Sequence, residues 1–342
     1  MKKRALINAT NIPTLATIVL FVAMFVAGSV AFPGFLSVQN FLNLFIDNAY
    51  LLILGVGMTF VIISGGIDLS VGSVLALSTM IASSMLTKAE LSPAIVIPVV
   101  LLAGTALGLL MGYIIQTFDL PPFIITLAGM YLARGLCYVI SIDTITISNE
   151  FFMNMSMARI NVIGENSLSV SAVLALIVLV VGLVVARYTK FGRTVYAIGG
   201  NEQSAILMGL PVARTKITIY AINGFCSALA GIVFTFYMLS GYALHGKSME
   251  MDTIASVVIG GTLLTGGVGS FIGTLFGVLV YGCIQILIMF QGSLNSWWTR
   301  IVIGFLVFLF CLLQRMFEAG RTVKVGGIAL KKGKAEKEPA AR

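Results

Sequence analysis

Residues 60 to 73 read FVIISGGIDLSVGS, and residues 260 to 270 read GGTLLTGGVGS. Each places a glycine pair, a hydroxyl residue and the tripeptide VGS inside sequence that is otherwise apolar. Glycine is a poor helix former, so both stretches interrupt whatever helices their flanks would build. In a bilayer, unwound backbone is tolerated only where it is buried in protein or lines a cavity. Glycine-broken apolar segments in two parts of one chain therefore point to a transporter's substrate region. A tight turn between two hairpin spans fits the same residues, with glycine supplying the backbone freedom.

The surrounding composition fixes the solvent. The chain has 342 residues, 58% hydrophobic and only 10% charged, with mean hydropathy +1.04. Soluble domains carry about 25% charged residues. Long apolar runs favour helices of about 20 residues over the short alternating strands of a barrel. Hydropathy predicts an all-α integral membrane protein of about ten transmembrane helices with interrupted segments: 14–32, 43–64, 71–86, 94–116, 122–140, 168–186, 217–241, 253–264, 271–290 and 300–313. The four cysteines lie in apolar runs without CxxC spacing, which suggests packing residues and neither disulfides nor a metal site.

Charge placement gives the orientation. Of 21 Lys and Arg, 16 fall at the N-terminus, between Arg187 and Lys216, and from Arg315 onward, on one side of the predicted topology. By the positive-inside rule both termini are cytoplasmic. The basic pI, near 9.4, is thus explained by loops facing the cytoplasm, and no nucleic-acid partner is implied. The first span is too long for a signal peptide and lacks a small-residue cleavage site, so it reads as a retained anchor. Residues 1–322 form the membrane domain, and 323–342 a disordered basic tail.

Polar residues in apolar runs are the candidates for the substrate pathway: Asp68, Ser70, Arg134, Thr262, Thr265 and Trp297. A carboxylate at the bilayer centre costs about 2.5–3.5 kcal/mol, so Asp68 either lines a pathway or caps the next helix near an interface. Arg134, deep in its span, needs an acid, backbone carbonyls or ligand hydroxyls. Trp297 suits a sugar ring or an interfacial aromatic belt. Tyr242, Glu250 and Asp252 are expected in an outer loop, where they could meet a docking protein.

The loop 187–216 is the most structured part outside the membrane. Asn201 can cap a short helix, Glu202 suits its positive end, and Gly209 followed by Pro211 closes it. That helix is expected to present Ala205, Leu207 and Met208 on a basic surface, which calls for a covering partner. This loop resembles the coupling loop of ABC-importer permeases of the ribose, xylose and branched-chain amino-acid type. PPFIITLAGMYLARG at 121–135, ASVVIGGTLLTGGVGSFIGTLFG at 255–277 and LNSWWTRIVIG at 294–304 match the same family. The resemblance implies docking on an ABC ATPase subunit, a periplasmic sugar-binding protein, residence in the bacterial inner membrane, and no cofactor. Within the family the sequence is most similar to permeases of galactofuranose importers, which implies a second, paralogous permease subunit.

An ion-gradient-driven secondary transporter would also explain broken spans, but it calls for intramembrane acids, and Asp68 is the sole candidate. Residues 241–248, GYALHGKS, fit the phosphate-cradling pattern GxxxxGK[ST]. A phosphate loop follows a buried strand and opens a helix in the cytoplasm, whereas these residues follow a membrane span on its far side. Lys247→Ala should leave ATP hydrolysis by an assembled complex intact; abolition of hydrolysis would reinstate the motif.

Overall fold

The computed structural model describes residues 12–292, 295 and 297–313. The basic N-terminus and tail, on which the orientation partly rests, lie outside these residues. Every predicted apolar segment contains a helix within them. α1 is Ile12–Ala31, α2 Val38–Asp47, α3 Ala49–Ile63, α4 Val71–Thr87, α5 Pro93–Thr117, α6 Pro122–Ile140, α7 Glu150–Met157 and α8 Val170–Tyr188. α9 is Lys190–Gly200, α10 Glu202–Leu207, α11 Val212–Met238, α12 Met249–Ile259 and α13 Phe271–Gln291. A last helix, α14, covers Trp297–Leu313.

Six of these helices are long and apolar enough to cross a membrane, or seven if α2 and α3, bent by 56°, count as one span. The single span expected from 43 to 64 is therefore this bent pair. α4 and α14 are shorter apolar helices, and α12 has only 11 residues. Between α6 and α8 lie α7 and three short strands: β1 (Ile145–Thr146) pairs antiparallel with β4 (Ser240–Gly241), which follows α11, and β2 (Arg159–Ile163) pairs with β3 (Asn166–Ser169).

α3 is the axis of the bundle. All its residues except Tyr50 are buried, as expected of a helix apolar all round. It packs on α8, α11, α12 and α13. The Thr59 hydroxyl lies 2.7 Å from that of Thr274 on α13, in an interior where a polar side chain needs a partner. The outer helices reverse this pattern and expose large apolar side chains, such as Leu102 on α5 and Val139 on α6, suited to lipid contact.

The longest helices, α5 and α11, are held together by small residues. Gly104, Gly108 and Gly112 on α5 face Gly224, Ala228 and Tyr220 on α11, and a Cβ at Gly108 would collide with the Tyr220 carbonyl. Such stripes let backbones approach in lipid, where apolar burial supplies no drive between helices. Gly273 and Gly277 on α13 similarly meet the carbonyls of Gly260 and Ser256.

Gly108→Leu should separate α5 from α11 and lower stability by about 1–3 kcal/mol, the usual cost of overpacking. Gly135→Ala on α6, where a Cβ meets nothing within 4 Å, should be neutral. Thermal unfolding of both variants in detergent tests the contrast.

Candidate functional site

The two interrupted stretches, far apart in sequence, meet in space. Ile63 ends α3 with its carbonyl pointing out of the helix, and the backbone N–H of Gly267 donates to it at 2.8 Å. Gly266 lies against the Gly65 backbone, where a Cβ would be only 3.0 Å from the Gly65 Cα. The second break has its own internal turn, with Leu263 N–H donating to the Val268 carbonyl at 3.0 Å. Gly65, Gly261, Gly266 and Gly267 all have positive φ, a region that side chains resist. The glycine pairs are therefore required by backbone geometry.

A third glycine pair joins them. Thr189 caps α9, accepting from Gly192 N–H at 3.1 Å. At the other end of this helix Gly199 and Gly200 lie against Gly266 and Gly267. A Cβ at Gly199 would overlap the Ile63 carbonyl. Tyr196, on the same helix, donates its hydroxyl to the Gly269 carbonyl at 2.9 Å. α9 thus touches both breaks at once. Sequence reasoning foresaw one short helix in this loop and missed α9, whose KFGRTVYAIGG sequence carries three glycines and a threonine.

α10 follows directly. Asn201 accepts from Ser204 N–H at 2.7 Å, the cap expected from its sequence. Gly209 turns at φ +75° and donates to Ile206 at 2.9 Å, while Leu210 N–H returns to the Ala205 carbonyl. Glu202 forms a 2.5 Å ion pair with Lys216 of α11. Leu207 and Met208 project outward, 88% and 67% exposed, beside Ile206. Ala205 does not join them: it is fully buried in a small cluster with Ile198 and Val212. The expectation that Ala205 is presented at the surface is corrected. One turn must seat α10 on α9, and Ala205 is the residue that faces inward.

Asp68 is neither a helix cap nor exposed to a channel. Ser70 occupies the cap position of α4 and makes no side-chain cap bond. Asp68 Oδ1 accepts from Ser70 N at 2.8 Å and from Ser70 Oγ at 2.6 Å. Its Oδ2 accepts from Asn223 Nδ2 of α11 at 2.7 Å. Asp68, Ser70 and Asn223 are all buried, so this network pins the first break to α11. Thr262 is buried and Thr265 exposed, within the second break.

Arg134 takes backbone carbonyls, one of the partners foreseen for it. Its Nη1 donates to the carbonyls of Ala243 and His245, the latter at 2.8 Å. It lies six residues before the end of α6, about 9 Å from that terminus, so it is less deep than its span suggested. Glu250 and Asp252 belong to the first turn of α12, where a Cβ at Gly72 would strike Glu250. They are half-buried on that helix, so of the three residues expected in a loop only Tyr242 lies in one. Trp297 is exposed, with the Arg300 guanidinium 5.2 Å from its ring centroid. Asp68, Arg134 and Trp297 do not converge on one cavity.

Two cavities do flank the core. At the basic end, one of about 260 Å³ is lined by Gly65, Gly66, Asp119, Glu202, Lys216 and Tyr220, beside both the first break and α10. Toward the opposite end, one of about 590 Å³ is lined by residues of α2, α3, α11, α12, α13 and α14, among them Asn48, Tyr50, Tyr237, Asp252, Tyr281 and Gln285. Sequence analysis singled out only Asp252 of these. Gln285, a lone amide within the apolar run of α13, was the available signal.

Comparison with known proteins places this arrangement. The family model described as the permease component of the branched-chain amino acid transport system matches residues 40–311. The chain belongs to that family. It is 48% identical over 305 residues to the inner membrane ABC transporter permease protein YjfF of Escherichia coli (strain K12), covering 89% of this chain and 92% of that protein. Identity to the fructose import permease protein FruG of Bifidobacterium longum is 41%, over 92% of this chain and 94% of the relative. The ribose import permease protein RbsC of Haemophilus influenzae is 43% identical over 73% of this chain and 77% of its own length. No solved structure matches. The family is one of transport permeases, and this member is a multi-pass protein of the bacterial inner membrane.

Removing the Asp68 carboxylate should leave Asn223 Nδ2 and the Ser70 donors unpaired in the interior. Asp68→Ala should then cost about 1–3 kcal/mol. In a double-mutant cycle with Asn223→Ala the two losses should fall short of additivity. Additive losses in thermal unfolding would mean that the pair does not act as a unit.

Proposed function

We propose that this chain is the permease subunit of an ABC importer that moves a monosaccharide inward by alternating access, driven by ATPase partners. Its sugar-permease relatives support the substrate class, and the sequence resemblance to galactofuranose permeases favours galactofuranose within it. One observation carries the mechanism: α10 exposes Ile206, Leu207 and Met208, while α9 beneath it abuts both interrupted segments. A force applied at α10 acts on the two breaks through a close-packed contact, not through a flexible tether.

In this reading Leu207 and Met208 enter a groove on the ATPase subunit. Asn201 and Gly209 fix the ends of α10, Ala205 seats it, and the Glu202–Lys216 pair ties it to α11. The basic end and both termini face the cytoplasm. A periplasmic sugar-binding protein delivers the solute to the other side, and a paralogous permease completes the pathway. Asp68, Ser70, Thr262 and Thr265 shape the moving breaks, Arg134 anchors residues 243–245, and Trp297 stands at the outer mouth. Asp68, the carboxylate on which the ion-gradient alternative rested, already accepts three hydrogen bonds from protein donors.

Leu207→Asp and Met208→Asp should each release the ATPase during copurification and abolish uptake. Gly199→Ala should keep the ATPase bound yet uncouple hydrolysis from transport, with Gly200→Ala, where a Cβ meets nothing within 4 Å, as the silent control. Uptake that persists without ATP and follows the proton gradient would sink this reading.

A further inference from the structure

The larger cavity is built for a particular chemistry. Along α13 it extends from Tyr281 to Gly292, and Tyr281 lies ten residues beyond the start of that helix. At 1.5 Å per residue its floor is about 15 Å along α13 from the basic end of that helix. Its volume of about 590 Å³ is within the usual range for small-molecule sites.

The floor is rich in acceptors. Asn48 is 2% exposed. Its Nδ2 is committed to the Leu44 carbonyl at 2.9 Å, and its Oδ1 finds no donor among the described residues. An amide oxygen left alone in the interior asks for a donor from a ligand or water. Asp252 is held by the Tyr281 hydroxyl at 3.1 Å, which leaves further carboxylate lone pairs facing the cavity. Asp47 adds a second acid, Gln285 an amide that both donates and accepts, and Arg300 a cation at the rim.

The walls are aromatic and fixed. Tyr50 stands edge-on to Phe234, with ring centroids 5.0 Å apart, and its ring is 6.5 Å from that of Tyr237. Rigid phenol rings offer apolar faces at low entropic cost with a polar tip. Acceptors in excess on the floor and aromatic faces on the walls suit a neutral ligand with several hydroxyl donors and exposed C–H faces.

We propose that this cavity is a monosaccharide subsite within the single permease chain, entered from the side opposite α10, with Asn48, Asp252, Tyr281 and Gln285 receiving the sugar hydroxyls and Tyr50 and Tyr237 its C–H faces. The choice of a sugar rests on the importer reading above; the existence of the site rests on its geometry.

The full-length chain carrying Met289→Cys is tested in native membranes. Met289 lines the cavity and is well exposed, and the change spares every polar contact named. Labelling by a membrane-impermeant maleimide, corrected for the unsubstituted protein, should be slowed by excess D-galactose, D-ribose or D-xylose and unaffected by leucine. Tyr281→Phe and Gln285→Ala in this background should each raise the half-protecting sugar concentration about tenfold, the loss of one strong hydrogen bond. Protection by no solute, or protection unchanged in both variants, overturns the subsite. Protection by leucine alone overturns the ligand class. Neither result touches the importer reading, which stands or falls on release of the ATPase by Leu207→Asp.

Discussion

Everything at the basic end depends on three lengths of backbone approaching closer than side chains allow. Gly65–Gly66, Gly199–Gly200 and Gly266–Gly267 stack around the Ile63 carbonyl, with the Gly267 N–H bonded to it. A Cβ at Gly199 or Gly266 would force the segments apart. Because packed interiors do not deform continuously, displacing α9 shifts the contact as a block. The absence of side chains therefore couples the surface helix to the interior more tightly than a bulky apolar plug could.

The polar network around Asp68 complements this contact. Glycine gives closeness but no directional bonding, so the first break needs another anchor. Asp68 supplies it, bonding locally to Ser70 and remotely to Asn223. The first break is thus held on one side by α11 and on the other by α9. A buried carboxylate with three donors specifies one geometry, whereas an apolar contact would permit several.

How much of this was legible in the sequence follows from the range of each interaction. The apolar segments were visible because hydrophobic runs are local, and Asn201 and Gly209 because caps are formed within a turn. The 56° bend between α2 and α3 was not, since Asn48 looks like any polar residue in an apolar run. Ala205 was misplaced because the facing of α10 is set by α9, which glycines concealed. Asp68 stayed open between a pathway and a helix cap because its partner is 155 residues away. The larger cavity was invisible for the same reason: its residues come from six helices, and each alone is an ordinary residue of its run.

The Arg134 contact has a bearing on how the protein is made. Its carbonyl partners lie 109 and 111 residues later in the chain, so at about 5–20 residues per second they emerge about 5–20 s after α6. Asp68 waits longer still for Asn223. During that interval an arginine and a carboxylate already delivered to the bilayer have none of their native long-range partners. α4 and α6 must therefore remain sheltered at the insertion machinery, or near an interface, until α11 and the segment after it arrive. Membrane integration of the first half is completed by the second, and a chain cut before residue 223 would leave Arg134 without its carbonyls and Asp68 with its local Ser70 donors alone.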